Sequence, residues 1–250
     1  MQKLEHPLWI VQAVNALLQP LIGKPVPAPL VMCGLIVVIV AALGIVVRSR
    51  LSVEHPTRLQ VLLEDGISAL RGLLQSFVGE KADRYIGIVG ALGLFILIGN
   101  YMGLVPGLMA PTSNINVTLG CALTTWVYYH LQGVKEQGPV AYLKHFAVPP
   151  GAPLFIAPLV LPIEIISHLS RVLSLSLRLF GNIFGEELVI LILFSIVPLI
   201  VPLPMMFLGL VTGGLQAFIF VMLSTIYLSG AVASEHDHEP RHEPAPAHAH

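Results

Sequence analysis

The region from Gly151 to Val232 constrains the fold more than any other part of this chain. Two long apolar stretches fill it, at about 154–196 and about 203–233, with a prolyl break between them. A single helix over the first stretch would be about 60 Å long, twice the thickness of a bilayer's hydrocarbon core. This stretch must therefore tilt steeply, bend or divide into two helices. The only Asp, Glu, Lys or Arg residues of the region are Glu164, Arg171, Arg178, Glu186 and Glu187.

The composition of the whole chain is that of a membrane protein. Hydrophobic residues make up 55% of the sequence and charged residues only 11%, whereas about 25% of the residues of a soluble domain are charged. The mean hydropathy is +0.83, and the net charge of −1 provides no basic surface for nucleic acid. We therefore predict an all-α polytopic membrane protein that binds no nucleic acid.

Four shorter helical elements precede the two long stretches. One is an unbroken apolar run, one has leucines and charged residues at helical spacing, and two form a hairpin that Asn100, Asn114 and Asn116 are expected to cap or pin. We expect one membrane domain over residues 30–233. Its predicted elements are an N-terminal span at about 30–48, an interfacial amphipathic helix at about 57–79, hairpin spans at about 85–105 and 115–133, and long helices at about 154–196 and 203–233.

The distribution of basic residues predicts the orientation of the chain. Those from Arg48 to Arg84 and from Lys135 to Lys144 share one face of the membrane, which the positive-inside rule assigns to the cytoplasm. We therefore expect an extracytoplasmic N-terminal segment at 1–29. The tail at 234–250 is rich in His and Pro, which predicts a disordered cytoplasmic segment.

The charged residues of the first long stretch form a pattern on its predicted helix. At about 100° per residue, six polar residues fall on one stripe, with Ser174 beside it, and Glu187 lies on the face opposite Arg178. A guanidinium at membrane depth costs about 3 kcal/mol, so it needs a partner, a watery cavity or a role on an ion pathway. Arg171 can pair with Glu164 or serve a channel, and both remain open. The six are Glu164, His168, Arg171, Arg178, Asn182 and Glu186.

Gln216 is the prominent polar residue of the second long stretch. Its uncharged amide is able to hydrogen-bond a guanidinium without cancelling the positive charge. Gly209, Gly213 and Gly214 precede it, and small residues of this kind allow helices to approach closely.

Two other functional classes lack their signatures. A secondary transporter should show repeated halves or interrupted half-helices, and an intramembrane metalloprotease needs HExxH or a similar cluster within the spans; the sequence has neither. No GxxxxGK[ST] loop occurs, and Cys33 and Cys121 lack metal-ligand spacing. We therefore predict no metal site, no cofactor and no covalent chemistry on this chain.

Several segments together resemble subunit a of the F-type ATP synthase membrane sector. The most specific are LSLSLRLFGNI followed by Glu-Glu-Leu, and LQAFIFVMLSTIYLS about forty residues later. LPIEIISHL, IGNYMGLVPG and PTSNINVTLG extend the resemblance over nearly the whole chain. The resemblance implies two long, steeply tilted helices that wrap a rotating ring of c subunits, with peripheral-stalk b subunits and the rest of the synthase as further partners.

The resemblance also implies roles for individual residues. Arg178 aligns with the arginine that faces the ring carboxylate, and Gln216 with the glutamine beside it. Glu187 aligns with a carboxylate of one aqueous half-channel and Glu164 with an acidic residue of the other. The remaining candidates for the proton path are Asn182, Ser174, His168 and Glu186.

The sequence departs from the family pattern near Glu187. Glu186 stands where Gly or Ala is frequent, so either carboxylate could carry the proton, with Glu187 favoured by the resemblance. Gly209 stands where some relatives place an ionisable residue that complements the one at Glu187. The function implied is a proton channel of the stator in a bacterial inner membrane, and not an enzyme by itself.

Overall fold

The computed structural model describes residues 9–52, 56–105, 107–140, 142, 157–196 and 202–232. Over these residues the chain consists of helices, short 3₁₀ turns and connectors, which confirms the all-α class. The long helices are α1 (Trp9–Ile22), α2 (Ala28–Ser49), α3 (Arg58–Val78), α4 (Ala82–Met102), α5 (Ile115–Gln137), α6 (Ala157–Ile196) and α7 (Pro202–Val232).

The first long apolar stretch forms a single helix rather than two. Helix α6 runs for 40 residues with Pro162 inside its second turn, where the proline removes one backbone hydrogen bond near the start of the helix. Helix α7 follows with 31 residues. The predicted residues 154–156, and the predicted tail at 234–250, lie outside the described residues.

Side-chain and glycine caps set the ends of two shorter helices. Thr57 accepts a hydrogen bond from the backbone N–H of Gln60 at the start of α3, and Asn114 accepts one from Asn116 at the start of α5. Both helices stop at a glycine with positive φ, 70° at Gly79 and 84° at Gly138. The predicted capping role of Asn114 is therefore confirmed.

Helix α1 was not predicted as a helix, because Gln12, Asn15 and Gln19 interrupt its apolar pattern. One of these polar residues, Asn15, has a structural role. It accepts a hydrogen bond from the backbone N–H of Val26 (2.8 Å) and donates one to the Val26 carbonyl oxygen (3.2 Å). The side chain therefore closes the turn between α1 and α2.

One stripe of α6 forms the centre of the protein. Val172, Leu175, Leu179 and Ile183 are buried at helical spacing. They pack with residues of α4, α5 and α7 in one core cluster. Most leucines on the other faces of α6 are exposed, as expected for a helix that meets lipid or another chain.

Two ion pairs and two polar contacts define the sides of the membrane domain. Glu136, at the end of α5, contacts Lys81 Nζ at 2.5 Å and also contacts Arg84, at the start of α4. The end of α5 and the start of α4 therefore lie together; we call this end the basic side, and the α4–α5 connector (residues 103–114) marks the opposite, connector side. Helix α6 runs antiparallel to α5, because His168 contacts Tyr129 whereas Ser176 contacts Thr118.

Four regions are long and apolar enough to cross a membrane, among the described residues. The predicted hairpin span at 115–133 is not one of them: α5 is long enough, but it carries Thr118, Thr125 and Tyr129 on a buried face. Its crossing, and the interfacial position of α3, stay predictions. The four regions are Ala28–Ser49, Arg58–Met102, Pro158–Ile196 and Pro202–Val232.

Candidate functional site

Arg178 lies near the middle of α6 with its side chain exposed. Leu175 and Leu179 belong to the buried stripe of α6, whereas the Arg178 side chain is exposed on another face of the helix. Its hydrogen bond within the described residues is a long one, from Nη2 to Ser174 Oγ at 3.5 Å, and it forms no ion pair with them. A structural ion pair between Arg178 and an acid of this chain is therefore not formed in the described part.

Asn182 and Gln216 join α6 to α7 one turn beyond Arg178. The Asn182 Nδ2 group donates a hydrogen bond of 2.8 Å to Gln216 Oε1. Gln216 is 3% exposed, and its Nε2 group has no hydrogen-bond partner among the described residues. The Gln216 amide thus pairs with Asn182 rather than with Arg178, and its Nε2 group remains an unused donor among the described residues.

The two neighbouring glutamates reach different parts of the protein. Glu187 Oε1 accepts a 3.0 Å hydrogen bond from the backbone N–H of Ala110, in the α4–α5 connector. Glu186 Oε2 instead accepts a 2.9 Å hydrogen bond from Thr212 Oγ1 on α7. The two adjacent glutamates are therefore separate proton-binding positions, or stations, on the connector side.

Gly209 makes room for Glu186. A Cβ atom built at Gly209 would overlap the Glu186 carboxylate, which lies against the α7 backbone at this point. The space that an ionisable side chain would take on α7 is thus filled from α6. Glycine at position 209 therefore leaves the space that the Glu186 carboxylate occupies.

A second polar cluster lies on the basic side of Arg178. His168 Nε2 is 3.2 Å from Glu164 Oε1, one helical turn away, and His168 Nδ1 is 2.8 Å from the Tyr129 hydroxyl on α5. Both His168 and Tyr129 are buried. Sequence reasoning placed Glu164 and His168 together but missed Tyr129, whose only signal was its position on the polar face of α5.

Arg171 does not form the predicted alternative pair with Glu164 among the described residues. Its guanidinium carbon lies 5.3 Å from the centre of the Tyr227 ring on α7, an arrangement in which the aromatic face stabilises the cation. Glu164 instead contacts His168. The charge of Arg171 is thus held between the basic-side cluster and Arg178.

The candidate residues divide into two groups along α6. Fourteen positions separate Glu164 from Arg178, or about 21 Å of helix, and nine separate Arg178 from Glu187, or about 13 Å. The basic-side group contains Glu164 and His168, and the connector-side group contains Glu186 and Glu187. The exposed arginine lies between them, beside the pair formed by Asn182 and Gln216.

Comparison with known proteins identifies the family of this chain. Residues 30–229 match the family model described as ATP synthase A chain. The chain is 39% identical over 231 residues to ATP synthase subunit a of Geobacter sulfurreducens, covering 92% of this chain and 99% of the relative. It is 48% identical over 184 residues to ATP synthase subunit a of Syntrophobacter fumaroxidans, covering 73% and 74%. This chain therefore belongs to the ATP synthase subunit a family.

Proposed function

We propose that this chain is the proton-channel stator of a rotary F-type ATP synthase in the inner membrane of a bacterium. The observation that carries the proposal is the exposed Arg178, unpaired with any acid of the described chain and flanked by two protonatable groups. The chain is a proton-translocating subunit and not an enzyme by itself, so ATP is made on other chains of the complex.

The path that we propose has two aqueous half-channels. Protons enter on the connector side and reach Glu187, with Glu186 and Asn182 nearby. They neutralise a carboxylate on a ring of c subunits, which can then turn through lipid because it carries no charge. After almost a full turn that carboxylate meets the second half-channel and releases its proton toward Glu164 and His168 on the basic side.

Arg178 keeps the two half-channels apart. A guanidinium stays charged at any accessible pH, so it attracts the returning ring carboxylate and keeps it ionised. The same fixed charge is an electrostatic barrier to a proton that would cross directly between the half-channels. Ser174 accepts a hydrogen bond from Arg178, and the Gln216 amide holds Asn182 one turn away. Both side chains are uncharged, so neither cancels the charge of the guanidinium.

The membrane orientation and the other partners follow from the same proposal. The basic side faces the cytoplasm by the positive-inside rule, with the N-terminus outside and the C-terminus inside. Helices α6 and α7 are tilted and wrap the ring, while lipid and peripheral-stalk b subunits cover other exposed faces. The membrane field contributes about 2.3 kcal/mol per proton for each 100 mV.

Substitution of Arg178 in the assembled complex tests this function. We expect Arg178→Ala to abolish proton-driven ATP synthesis in vesicles, because nothing else separates the half-channels or attracts the ring carboxylate. The complex should still assemble, since the guanidinium forms no ion pair with the part of the chain that the structure describes. Arg58→Ala, at an exposed arginine of α3, is the matched control and should leave synthesis intact. Normal synthesis with Arg178→Ala would refute the proposal.

A further inference from the structure

A second imidazole lies against the basic-side cluster. His130, next to Tyr129 on α5, has its ring centre 4.7 Å from that of His168 and 4.5 Å from that of Tyr129. His130 Nδ1 is 2.6 Å from the hydroxyl of Tyr142, which follows the end of α5. Two phenol–imidazole pairs are therefore packed together between α5 and α6, inside the membrane domain.

The close approach of Tyr142 depends on Gly133. A Cβ atom at Gly133 would collide with the Tyr142 ring and would lie 2.9 Å from the Ala231 carbonyl oxygen on α7. Glycine at this position allows the ring to lie against α5 and to bring its hydroxyl to His130. The polar cluster is thus built by the packing of α5, α7 and the segment after Gly138.

We propose that Tyr129, His130 and Tyr142 are further residues of the proton path, and that they extend Glu164 and His168 into a hydrogen-bonded relay of the basic-side half-channel. The proposal rests on the function proposed above and goes beyond it, because it assigns α5 and Tyr142 a share in that half-channel. The ligand of the relay is the proton, exchanged with water at both ends.

The contacts of His168 permit a balanced proton transfer. The Tyr129 hydroxyl donates its proton to His168 Nδ1, while the Nε2–H proton of the same ring passes to the Glu164 carboxylate. The Tyr129 oxygen regains a proton from water on the side of the c-subunit ring. Glu164 releases a proton to water on the basic side. One proton enters and one leaves, and no oxidant or other reactant is needed. The imidazole is suited to this step because each of its nitrogens can donate or accept.

His130 and Tyr142 provide a second outlet for the same half-channel. Tyr142 follows Gly138, at the basic end of α5, and its hydroxyl reaches back to His130. Among the described residues, the charged and titratable groups that face the two imidazoles are Glu164 and Arg171 from α6, Tyr227 from α7, Tyr129 from α5, and Tyr142. Repulsion from the fixed charge of Arg171 opposes the storage of positive charge on both imidazoles at once, which favours release over trapping.

Conservative substitutions in the intact complex test the relay. Tyr129→Phe and Tyr142→Phe each remove one hydroxyl and keep the ring, and His130→Phe removes the imidazole nitrogens. Tyr85→Phe is the control, because Tyr85 is fully buried on α4 and its ring meets Tyr128 rather than either imidazole. The measurement is proton flux in vesicles of the complex, with the pH of one side varied while the other side is held constant.

We expect the three relay variants to lower proton flux severalfold and to change its dependence on pH at the basic side only. Tyr85→Phe should retain the wild-type flux and pH profile. Wild-type flux and pH profiles in Tyr129→Phe and His130→Phe would overturn the relay, even if Arg178→Ala abolishes ATP synthesis as the proposed function requires. If His130→Phe fails to assemble, Tyr129→Phe alone decides the outcome. Normal synthesis with Arg178→Ala would instead refute the proposed function itself.

Discussion

The two polar groups on α6 differ in the chemistry of their partners. On the basic side, imidazole and phenol side chains link Glu164 to His168 and Tyr129. On the connector side, Glu187 accepts from a backbone N–H and Glu186 accepts from a hydroxyl. The first group is a chain in which donors and acceptors can exchange roles. The second consists of two carboxylates that accept hydrogen bonds from different elements of the protein.

This difference indicates different ways of moving a proton. An imidazole between a phenol and a carboxylate can pass a proton through itself, whereas an isolated carboxylate must load and unload through water. The connector-side group should therefore depend on water access and on which carboxylate reaches the path. The basic-side group should depend on the integrity of its hydrogen bonds.

On the connector side, we expect the largest loss of proton flux when one of the two glutamates is replaced. Glu187→Gln removes the proton-carrying group that reaches the connector, and we expect about a 100-fold loss of proton flux. Glu186→Gln should reduce flux less, because its carboxylate is directed to Thr212 on α7. Flux measurements on vesicles of the two variants compare them directly. Equal losses, or a larger loss with Glu186→Gln, would assign the relay to Glu186.

A smaller effect is expected from the contact between Gly209 and Glu186. Gly209→Leu places a side chain where the Glu186 carboxylate lies, and overpacking of this kind costs about 1–3 kcal/mol. We expect lower thermal stability of the purified complex, and partial recovery when Glu186→Gly is added. Gly34→Leu is the control, since Gly34 has open space beside it. Failure of the second substitution to restore stability would show that Glu186 does not fill this space.

The smallest effect is expected at the hydrogen bond between Asn182 and Gln216. Interhelical hydrogen bonds in membrane proteins contribute about 0.6–2 kcal/mol. A double-mutant cycle with Asn182→Leu and Gln216→Leu should therefore give a coupling free energy of about 1 kcal/mol for unfolding of the complex in detergent. Additive effects would mean that the two amides act independently and that the 2.8 Å contact does not stabilise the α6–α7 interface.

The two long helices could be predicted from the sequence because both are almost entirely apolar. Sparse charge and a prolyl break define both, and the predicted 154–196 and 203–233 agree with Ala157–Ile196 and Pro202–Val232 to within a few residues. The shared face of the basic residues was also predicted, and the contacts of Glu136 with Lys81 and Arg84 agree with it. Hydropathy, proline positions and the distribution of charge suffice for such features.

The contacts between helices were not predictable in the same way. Tyr129 and His168 are 39 positions apart, and helical periodicity shows which face a residue occupies but not which helix lies opposite. Arg171 and Glu164 are two turns apart on one stripe, yet His168 lies closer to Glu164 and Tyr227 attracts the arginine from α7. The helices were therefore largely predictable from the sequence. The side-chain contacts of the candidate site were not, because they depend on how α5, α6 and α7 pack together.

The most direct test of the central claim is a density map of the purified complex in a lipid bilayer, at a resolution that shows the Arg178 side chain. The account predicts that the guanidinium faces a ring of neighbouring subunits, with a ring carboxylate able to come within about 4 Å of it, and that watery vestibules end near it from opposite sides. A guanidinium paired with an acid of its own chain, or directed at lipid away from any ring, would contradict the account.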